Sequence, residues 1–148
     1  MNAILVIAHA PLASALRQCV LHVFPDAQQA VDALDVPPHQ PPEETLAQAR
    51  RIMAQHGAND ILVLTDILGA TPCNIATQLL DGAHTRLVTG VNLPMLLRAV
   101  TYRHEPIDTL VSRATLGGTQ GVIPLAPNLP QNPCRRPAHD PTHRDHPQ

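Results

Sequence analysis

The sequence has almost no aromatic residues and no lysine. Its 148 residues include one Phe, one Tyr and no Trp, so we expect no platform on which bases or sugars could stack. All ten basic residues are Arg, and the absence of Lys excludes Schiff-base chemistry and a Walker-type phosphate lysine. Twelve acidic residues give a formal net charge of −2. The overall charge therefore provides no reason to expect a nucleic-acid partner.

Cysteines and long apolar runs are also scarce. Cys19, Cys73 and Cys134 are odd in number and lack C-x-x-C spacing, which argues against a disulfide framework or a zinc site and suits a reducing cytoplasm. No apolar run approaches the roughly 20 residues that span a bilayer. The short stretch 3–8 lacks the basic flank of a signal peptide. We therefore expect a cytoplasmic protein with no direct membrane insertion.

Four segments show the patterns of strands. Continuous apolar runs at 2–8 and 60–66 predict strands that are buried on both faces. Weaker signals at 30–36 and 86–90 predict two more strands, and Asp32 and Asp35 in the first of them suit an edge position. The segment "GVIPL" at 121–125 predicts a further short strand, which Pro124 restricts to an edge or to a partner's sheet.

Helix signals lie between the strand signals. The first helix follows Pro11, and the third covers 72–80 with Thr71 as its predicted N-cap. Asn92 is predicted to cap a fourth helix that ends near Tyr102, and a fifth helix runs from Pro106 to Gly117 and Gly118. The predicted buried side chains of the first helix are Leu12, Leu16, Cys19, Val20 and Val23. A second helix is predicted before the strand at 60–66, and its predicted buried side chains are Leu46, Ala49, Ile52 and Met53.

This alternation predicts one α/β domain over residues 1–125. Its expected fold is a doubly wound, mostly parallel four-stranded sheet in the flavodoxin-like order 2-1-3-4. Residues 126–148 are rich in Pro, His and Arg and predict a disordered tail, because they contain too few apolar residues to order themselves. The tail histidines have a spacing that suits only adventitious metal binding, so no metal site is predicted; they are His139, His143 and His146.

Both strongly apolar strands end at an ionisable residue. The first reaches His9 and the third reaches Asp66, and in the order 2-1-3-4 these strand ends face each other across the crevice where ligands bind. A carboxylate on one ring nitrogen fixes the tautomer and leaves a lone pair on the other nitrogen. Such a histidine is suited to act as a base, a metal ligand or a phosphoryl acceptor.

The surroundings of this pair favour an anion. The turn from Gly69 to Pro72 leads into a predicted helix N-terminus, whose free N–H groups and positive dipole end attract phosphate. The Thr71 hydroxyl can donate a further hydrogen bond. With no lysine and no additional acidic residues for Mg²⁺, the pattern suits metal-free, cofactor-free transfer from one phosphohistidine to another.

Three motifs carry a family resemblance. "ILVIAHAPLASAL", "LVLTDILGATPCNIA" and "GVNLPMLLRAV", in this order and spacing, resemble the enzyme IIA component of the mannose family of the bacterial phosphoenolpyruvate-dependent sugar phosphotransferase system. The resemblance covers about residues 1–125. It implies a phosphotransferase that forms a phosphohistidine, accepts its phosphoryl group from the phosphocarrier HPr and passes it to a IIB partner for sugar uptake.

The resemblance also assigns roles to residues. It implies that His9 is phosphorylated and that Asp66 orients its ring. Five further positions match the loop beside the phosphate and the rim of the site, namely Gly69, Thr71 and Asn74 in the loop and Asn92 and Pro94 in the rim. It implies a homodimer in which "GVIPL" joins the partner's sheet. Ile67 and Ala70 depart from the family pattern, and no IIB domain follows in this sequence.

Simpler interpretations of these residues remain open. His9 can be a polar residue at the rim of a sheet, Asp66 can cap a turn, and Asn92 can be only a helix cap. Phosphorylation of His9 can also control binding to another protein without any sugar transport. Cys73 is expected to be a small buried residue. The remaining histidines are expected to be solvated; they are His22, His39, His56, His84 and His104.

Overall fold

Four parallel strands form the centre of the computed structural model, which describes residues 1–127. The strands are β1 (Ala3–His9), β2 (Val31–Val36), β3 (Ile61–Thr65) and β4 (Thr85–Thr89). Their order is β2-β1-β3-β4, with every neighbouring pair parallel. The predicted sheet order is therefore confirmed, with β1 directly beside β3.

Helices cover both faces of this sheet. They are α1 (Leu12–Val23), α2 (Pro42–Ala54), α3 (Thr71–Thr77), α4 (Leu93–Thr101) and α5 (Ile107–Gln120). One core lies between the sheet and α1, α4 and α5, and the other lies between the sheet and α2 and α3. This doubly wound arrangement confirms the predicted fold class. None of the helices in residues 1–127 is long and apolar enough to cross a membrane.

The apolar run of β1 contributes to both cores. Ile4 and Val6 pack on the α1 side, whereas Leu5 and Ile7 pack on the α2 side, and all four are essentially inaccessible to solvent. Successive side chains of a strand point to opposite faces, so a strand covered on both sides is apolar at every position. The polar residue that ends this run, His9, is thereby held at the carboxyl edge of a rigid strand.

The buried face of α1 differs from the predicted one. Leu16 and Val20 are buried as expected, together with the small residue Ala13. In contrast, Leu12 and Val23 are exposed by 38% and 58%, and Cys19 is also exposed. The prediction placed the buried face along the large apolar side chains. An α-helix has 3.6 residues per turn, and the face that contacts the sheet is the one that contains Ala13.

The buried residues predicted for α2 and α3 agree with the structure. Ala49 of α2 is fully buried, and the other predicted residues pack against the same core, namely Leu46, Ile52 and Met53. Cys73 of α3 is buried as expected. The third helix ends at Thr77, earlier than predicted.

The predicted end of the last helix is wrong. Gly117 and Gly118 lie inside α5, which continues to Gln120. A Cβ atom on Gly117 would lie 2.6 Å from Cβ of Arg98, and one on Gly118 would lie 2.7 Å from Cε of Met95. Gly117 therefore permits the close approach of α5 to α4, whereas a Cβ on Gly118 would require only the flexible end of the Met95 side chain to move. Local sequence signals do not show this contact between helices.

The segment after α5 forms no strand within the described chain. Its apolar side chains Val122, Ile123 and Leu125 are exposed by 75%, 56% and 69%. The predicted tail, with Cys134 and the three tail histidines, lies outside the described residues except for Ala126 and Pro127.

Candidate functional site

The carboxyl ends of β1 and β3 bring two ionisable side chains together. His9 is the last residue of β1, and Asp66 directly follows β3. The register pairs Ile7 with Thr65, so His9 lies two residues and Asp66 one residue beyond the last pair of these strands. The His9 side chain is 55% exposed and that of Asp66 only 11%. The pair thus presents its imidazole to solvent and keeps its carboxylate largely covered.

Asp66 holds His9 through two contacts. Its Oδ2 lies 2.6 Å from Nδ1 of His9 and accepts a hydrogen bond from the His9 backbone N–H at 3.0 Å. Its Oδ1 accepts from the backbone N–H of Ile67 at 2.9 Å. An ionised carboxylate can only accept, so the proton of a neutral His9 ring resides on Nδ1. Nε2 then carries the lone pair, which is suited to attack an electrophile.

The surroundings of Asp66 favour its ionised form. Burial by itself would raise the pKa of this carboxyl group, but the hydrogen bonds from His9 and Ile67 outweigh burial and lower the pKa below its ordinary value. Asp66 is therefore negatively charged at neutral pH. A negative charge at Nδ1 stabilises the positive charge that develops on an imidazole when Nε2 forms a bond to an electrophile.

The loop after Asp66 differs in detail from its prediction. Ala70, in an extended conformation, is the N-cap of α3, and Thr71 and Pro72 are its first two helical residues. The predicted capping by the Thr71 side chain is therefore wrong. Gly69 adopts a φ of +84°, which a residue with a side chain rarely adopts. The N-cap residue of α3 makes no side-chain hydrogen bond, and the first turn contains no acidic residue.

Asn92 acts as a helix cap, as its sequence pattern predicts. Its Oδ1 accepts from the backbone N–H of Met95 at 2.9 Å, and its Nδ2 donates to the carbonyl oxygen of Gly118 at 3.0 Å. The adjacent Val91 N–H donates to the carbonyl oxygen of Thr65 at 2.9 Å. Asn92 therefore lies at the carboxyl edge of the sheet and joins α4 to α5. Pro94 lies in the first turn of α4.

Two further histidines pair with aspartates at the opposite end of the sheet. Nε2 of His56 lies 2.6 Å from Oδ2 of Asp32, and Nδ1 of His84 lies 2.8 Å from Oδ1 of Asp60. The expectation that His56 is solvated is wrong, because its side chain is only 14% exposed. Neither pairing could be predicted from the sequence, because each depends on which helix or loop packs beside a given strand.

These pairs show that a His–Asp contact alone does not define a functional site. A cleft of about 430 Å³ contains Asp32 and His56 in its lining, but neither His9 nor Asp66. We take His9 as the candidate site, because it lies at the carboxyl edge of a parallel sheet, where such folds bind ligands. Among residues 1–127, no group of three or more His, Cys, Asp and Glu side chains is arranged to hold a metal ion.

Comparisons with known proteins agree with one another. A family model described as "PTS system fructose IIA component", EIIA-man, matches residues 3–114. The mannose-specific EIIAB component of the phosphotransferase system of Escherichia coli (strain K12) is 35% identical over 68 residues. That match covers 44% of this chain but only 21% of the relative, so the matched segment spans about a fifth of the length of the curated relatives.

Solved structures show the same fold over most of the chain. The EIIA component from Streptococcus agalactiae has a TM-score of 0.74 and 26% identity, covering 84% of this chain and 97% of that one. The mannose/sorbose-specific IIA subunit from Enterococcus faecalis has a TM-score of 0.77 and 23% identity, covering 88% and 98% of the two chains. The matched family model spans residues 3–114, a range that includes His9 and Asp66.

Proposed function

Because the chain belongs to the EIIA-man family, the mannose-type IIA components of the sugar phosphotransferase system, we propose that it carries phosphoryl groups on His9. Its donor is the phosphohistidine of HPr, and its acceptor is a IIB component that serves sugar uptake. The observation that carries this proposal is the contact of Asp66 with Nδ1 of an otherwise exposed imidazole. This contact leaves Nε2 as the free nucleophile at the carboxyl edge of the sheet.

The proposed reaction exchanges one phosphorus–nitrogen bond for another. The Nε2 lone pair attacks the phosphorus of the donor phosphohistidine, a bond forms to Nε2, and the bond to the donor nitrogen breaks with its electron pair returning to the donor ring. The His9 ring becomes positively charged as it gains the phosphoryl group, and the Asp66 carboxylate stabilises that charge. The step needs no nucleotide, and both sides contain the same type of bond.

The exposed apolar side chains near His9 support the proposal that the donor of the phosphoryl group is a protein. Ile67 and Leu68, which directly follow Asp66, are exposed by 58% and 77%, and Leu12 at the start of α1 is exposed by 38%. Exposed apolar side chains around a functional group are typical of protein docking surfaces. A donor that carries its phosphoryl group on its own surface can cover these residues as it approaches Nε2.

The phosphoryl group itself is proposed to lie against the loop after Asp66. Gly69 and Thr71 provide backbone N–H groups there, Thr71 and Asn74 provide polar side chains, and the N-cap residue of α3 makes no side-chain hydrogen bond that would compete for them. Ile67 has no hydroxyl to contribute. Asn92 and Pro94 are proposed to form the rim of the site.

The proposal is tested by intact mass spectrometry. Incubation with phosphoenolpyruvate, enzyme I and HPr is expected to add the mass of one phosphoryl group, which acid removes because phosphohistidine is acid-labile. The addition is expected to require HPr, and a IIB component is expected to discharge the phosphorylated protein. A protein that accepts a phosphoryl group but never discharges to IIB would instead indicate a regulatory role, and no labelling at all would contradict the proposal.

We further propose that the protein is a homodimer in which residues 121–125 pair with β4 of the second copy. β4 is an edge strand, and the segment that follows α5 exposes Val122, Ile123 and Leu125. Exposed apolar segments and free strand edges both favour association with another chain.

Sedimentation velocity tests this pairing. The unaltered protein is expected to sediment as a dimer, and the double variant Val122→Asp/Ile123→Asp as a monomer, because charged side chains oppose burial in an interface. Val23→Asp, at a residue of α1 that is exposed to a similar degree, provides the matched control and is expected to remain dimeric. A monomeric unaltered protein would contradict the pairing.

A further inference from the structure

The end of β2 holds the segment that follows His9. The backbone N–H of Ala10 donates to the carbonyl oxygen of Val36 at 3.1 Å. The backbone N–H of Ser14 donates to Oδ1 of Asp35 at 3.0 Å, and the Ser14 hydroxyl donates to Oδ2 of the same carboxylate. Two neighbouring residues of β2 thus bind the turn that follows β1 and the first turn of α1.

Together with Asp66, these contacts hold the segment around His9 from both neighbouring strands. Strand β1 lies between β2 and β3, with His9 aligned beside Val36 and Ala8 beside Asp35. Asp66, from the β3 side, binds the ring and the backbone of His9. Asp35, from the β2 side, binds the start of the helix that follows. The chain that carries the imidazole is therefore anchored by a carboxylate from each neighbouring strand.

The start of α1 depends on Asp35 because α1 provides no cap of its own. Its N-cap residue is Pro11, which makes no side-chain hydrogen bond, and its first turn contains no acidic residue. The first backbone N–H groups of a helix require acceptors, and a negative charge there is favourable. The Asp35 carboxylate satisfies this requirement and belongs to β2. It therefore also fixes where α1 begins relative to the sheet.

We propose that Asp35 is a positioning residue for His9. By anchoring the start of α1, it fixes the turn at Ala10 and hence the direction in which Nε2 of His9 faces an incoming phosphoryl group. This inference rests on the proposed phosphorylation of His9. It assigns Asp35 no contact with the phosphoryl group and no part in proton transfer.

A kinetic comparison of two variants of β2 tests the role. Asp35→Ala is expected to lower kcat for phosphoryl transfer from phosphorylated HPr by about 10- to 100-fold with little change in KM, because small misplacements of a reacting group have effects of that size. The matched control is Asp32→Ala, which removes a carboxylate that is hydrogen-bonded to His56 at the other end of the same strand. Its kcat is expected to equal that of the unaltered protein.

The signals of the His9 ring in nuclear magnetic resonance spectra provide a second measurement. They are expected to shift or broaden in Asp35→Ala and to remain unchanged in Asp32→Ala, whereas a general loss of stability would affect both variants alike. Asp35→Asn retains one acceptor oxygen and is expected to recover part of kcat.

Distinct outcomes separate this inference from the proposed function. Equal kcat values for Asp35→Ala and the unaltered protein, or equal losses in Asp35→Ala and Asp32→Ala, would overturn the positioning role. Failure of the unaltered protein to accept a phosphoryl group would instead overturn the proposed function. If Asp35→Ala does not fold, Ser14→Ala tests the same contact: a several-fold lower kcat supports the role, and an unchanged kcat overturns it.

Discussion

Replacing His9 with alanine is expected to abolish phosphorylation of the protein while its fold remains intact. The substitution removes Nε2, the nucleophile to which the phosphoryl group is proposed to bind, and no neighbouring side chain replaces it. The imidazole lies outside both apolar cores and is 55% exposed. The free energy of unfolding should therefore fall by no more than about 1.5–3 kcal/mol, the usual size of one lost hydrogen bond to a charged group.

Intact mass spectrometry and thermal unfolding, carried out on the same samples, check both parts of this prediction. His84→Ala is the matched control, because His84 is also an exposed histidine paired with an aspartate, but at the opposite end of the sheet. The control is expected to gain one phosphoryl group as the unaltered protein does. Labelling of His9→Ala would indicate a different acceptor, and loss of its fold would show that His9 is a structural residue.

Replacing Asp66 with asparagine is expected to slow phosphoryl transfer by about 100-fold or more, the size typical of removing one group that stabilises a developing charge. Asparagine is nearly isosteric, but its amide is neutral and can donate a hydrogen bond to Nδ1. A ring that accepts at Nδ1 carries its proton on Nε2, which removes the nucleophilic lone pair. The variant also lacks the charge that stabilises the phosphorylated ring.

Rapid-quench measurements of transfer from phosphorylated HPr determine the size of this effect. Asp60→Asn, which alters the carboxylate paired with His84, serves as the control and is expected to transfer at the unaltered rate. An Asp66→Asn variant with unchanged kinetics would remove Asp66 from the mechanism. His9 would then act without an orienting partner.

The acid stability of the same variant provides an independent check. Because the folded protein holds the pKa of Asp66 below its ordinary value, ionised Asp66 stabilises the fold at neutral pH, and this contribution disappears as the pH falls through the folded-state pKa. The difference in unfolding free energy between the unaltered protein and Asp66→Asn should therefore be largest near neutral pH and shrink in strong acid. Denaturant titrations at several pH values measure this difference.

Hydrophobic patterning was sufficient to predict the sheet and the meeting of His9 with Asp66. Two continuous apolar runs identified the central strands, because only strands covered on both faces are apolar at every position. Parallel strands that alternate with helices then place their carboxyl ends along one edge. Once the strand order is known, His9 at the end of β1 and Asp66 directly after β3 are expected to lie near each other.

Patterning was insufficient wherever a contact between distant elements decided the outcome. The glycines at 117 and 118 were expected to end α5, yet they lie inside it, where they permit close packing against Arg98 and Met95. His56 was expected in solvent but pairs with Asp32. Neither the distance between two helices nor the partner of a side chain on another strand is encoded in the neighbouring residues of the chain.

The sequence by itself determined which residues end the central strands and therefore which side chains can form a site, because burial and strand direction follow from local composition. Only the tertiary structure decided how that site is held. The ring nitrogen that Asp66 engages and the cap that Asp35 provides to α1 both depend on atoms far apart in the chain. Such contacts form only when the strands pack side by side, since hydrogen bonds require positions within a few tenths of an ångström.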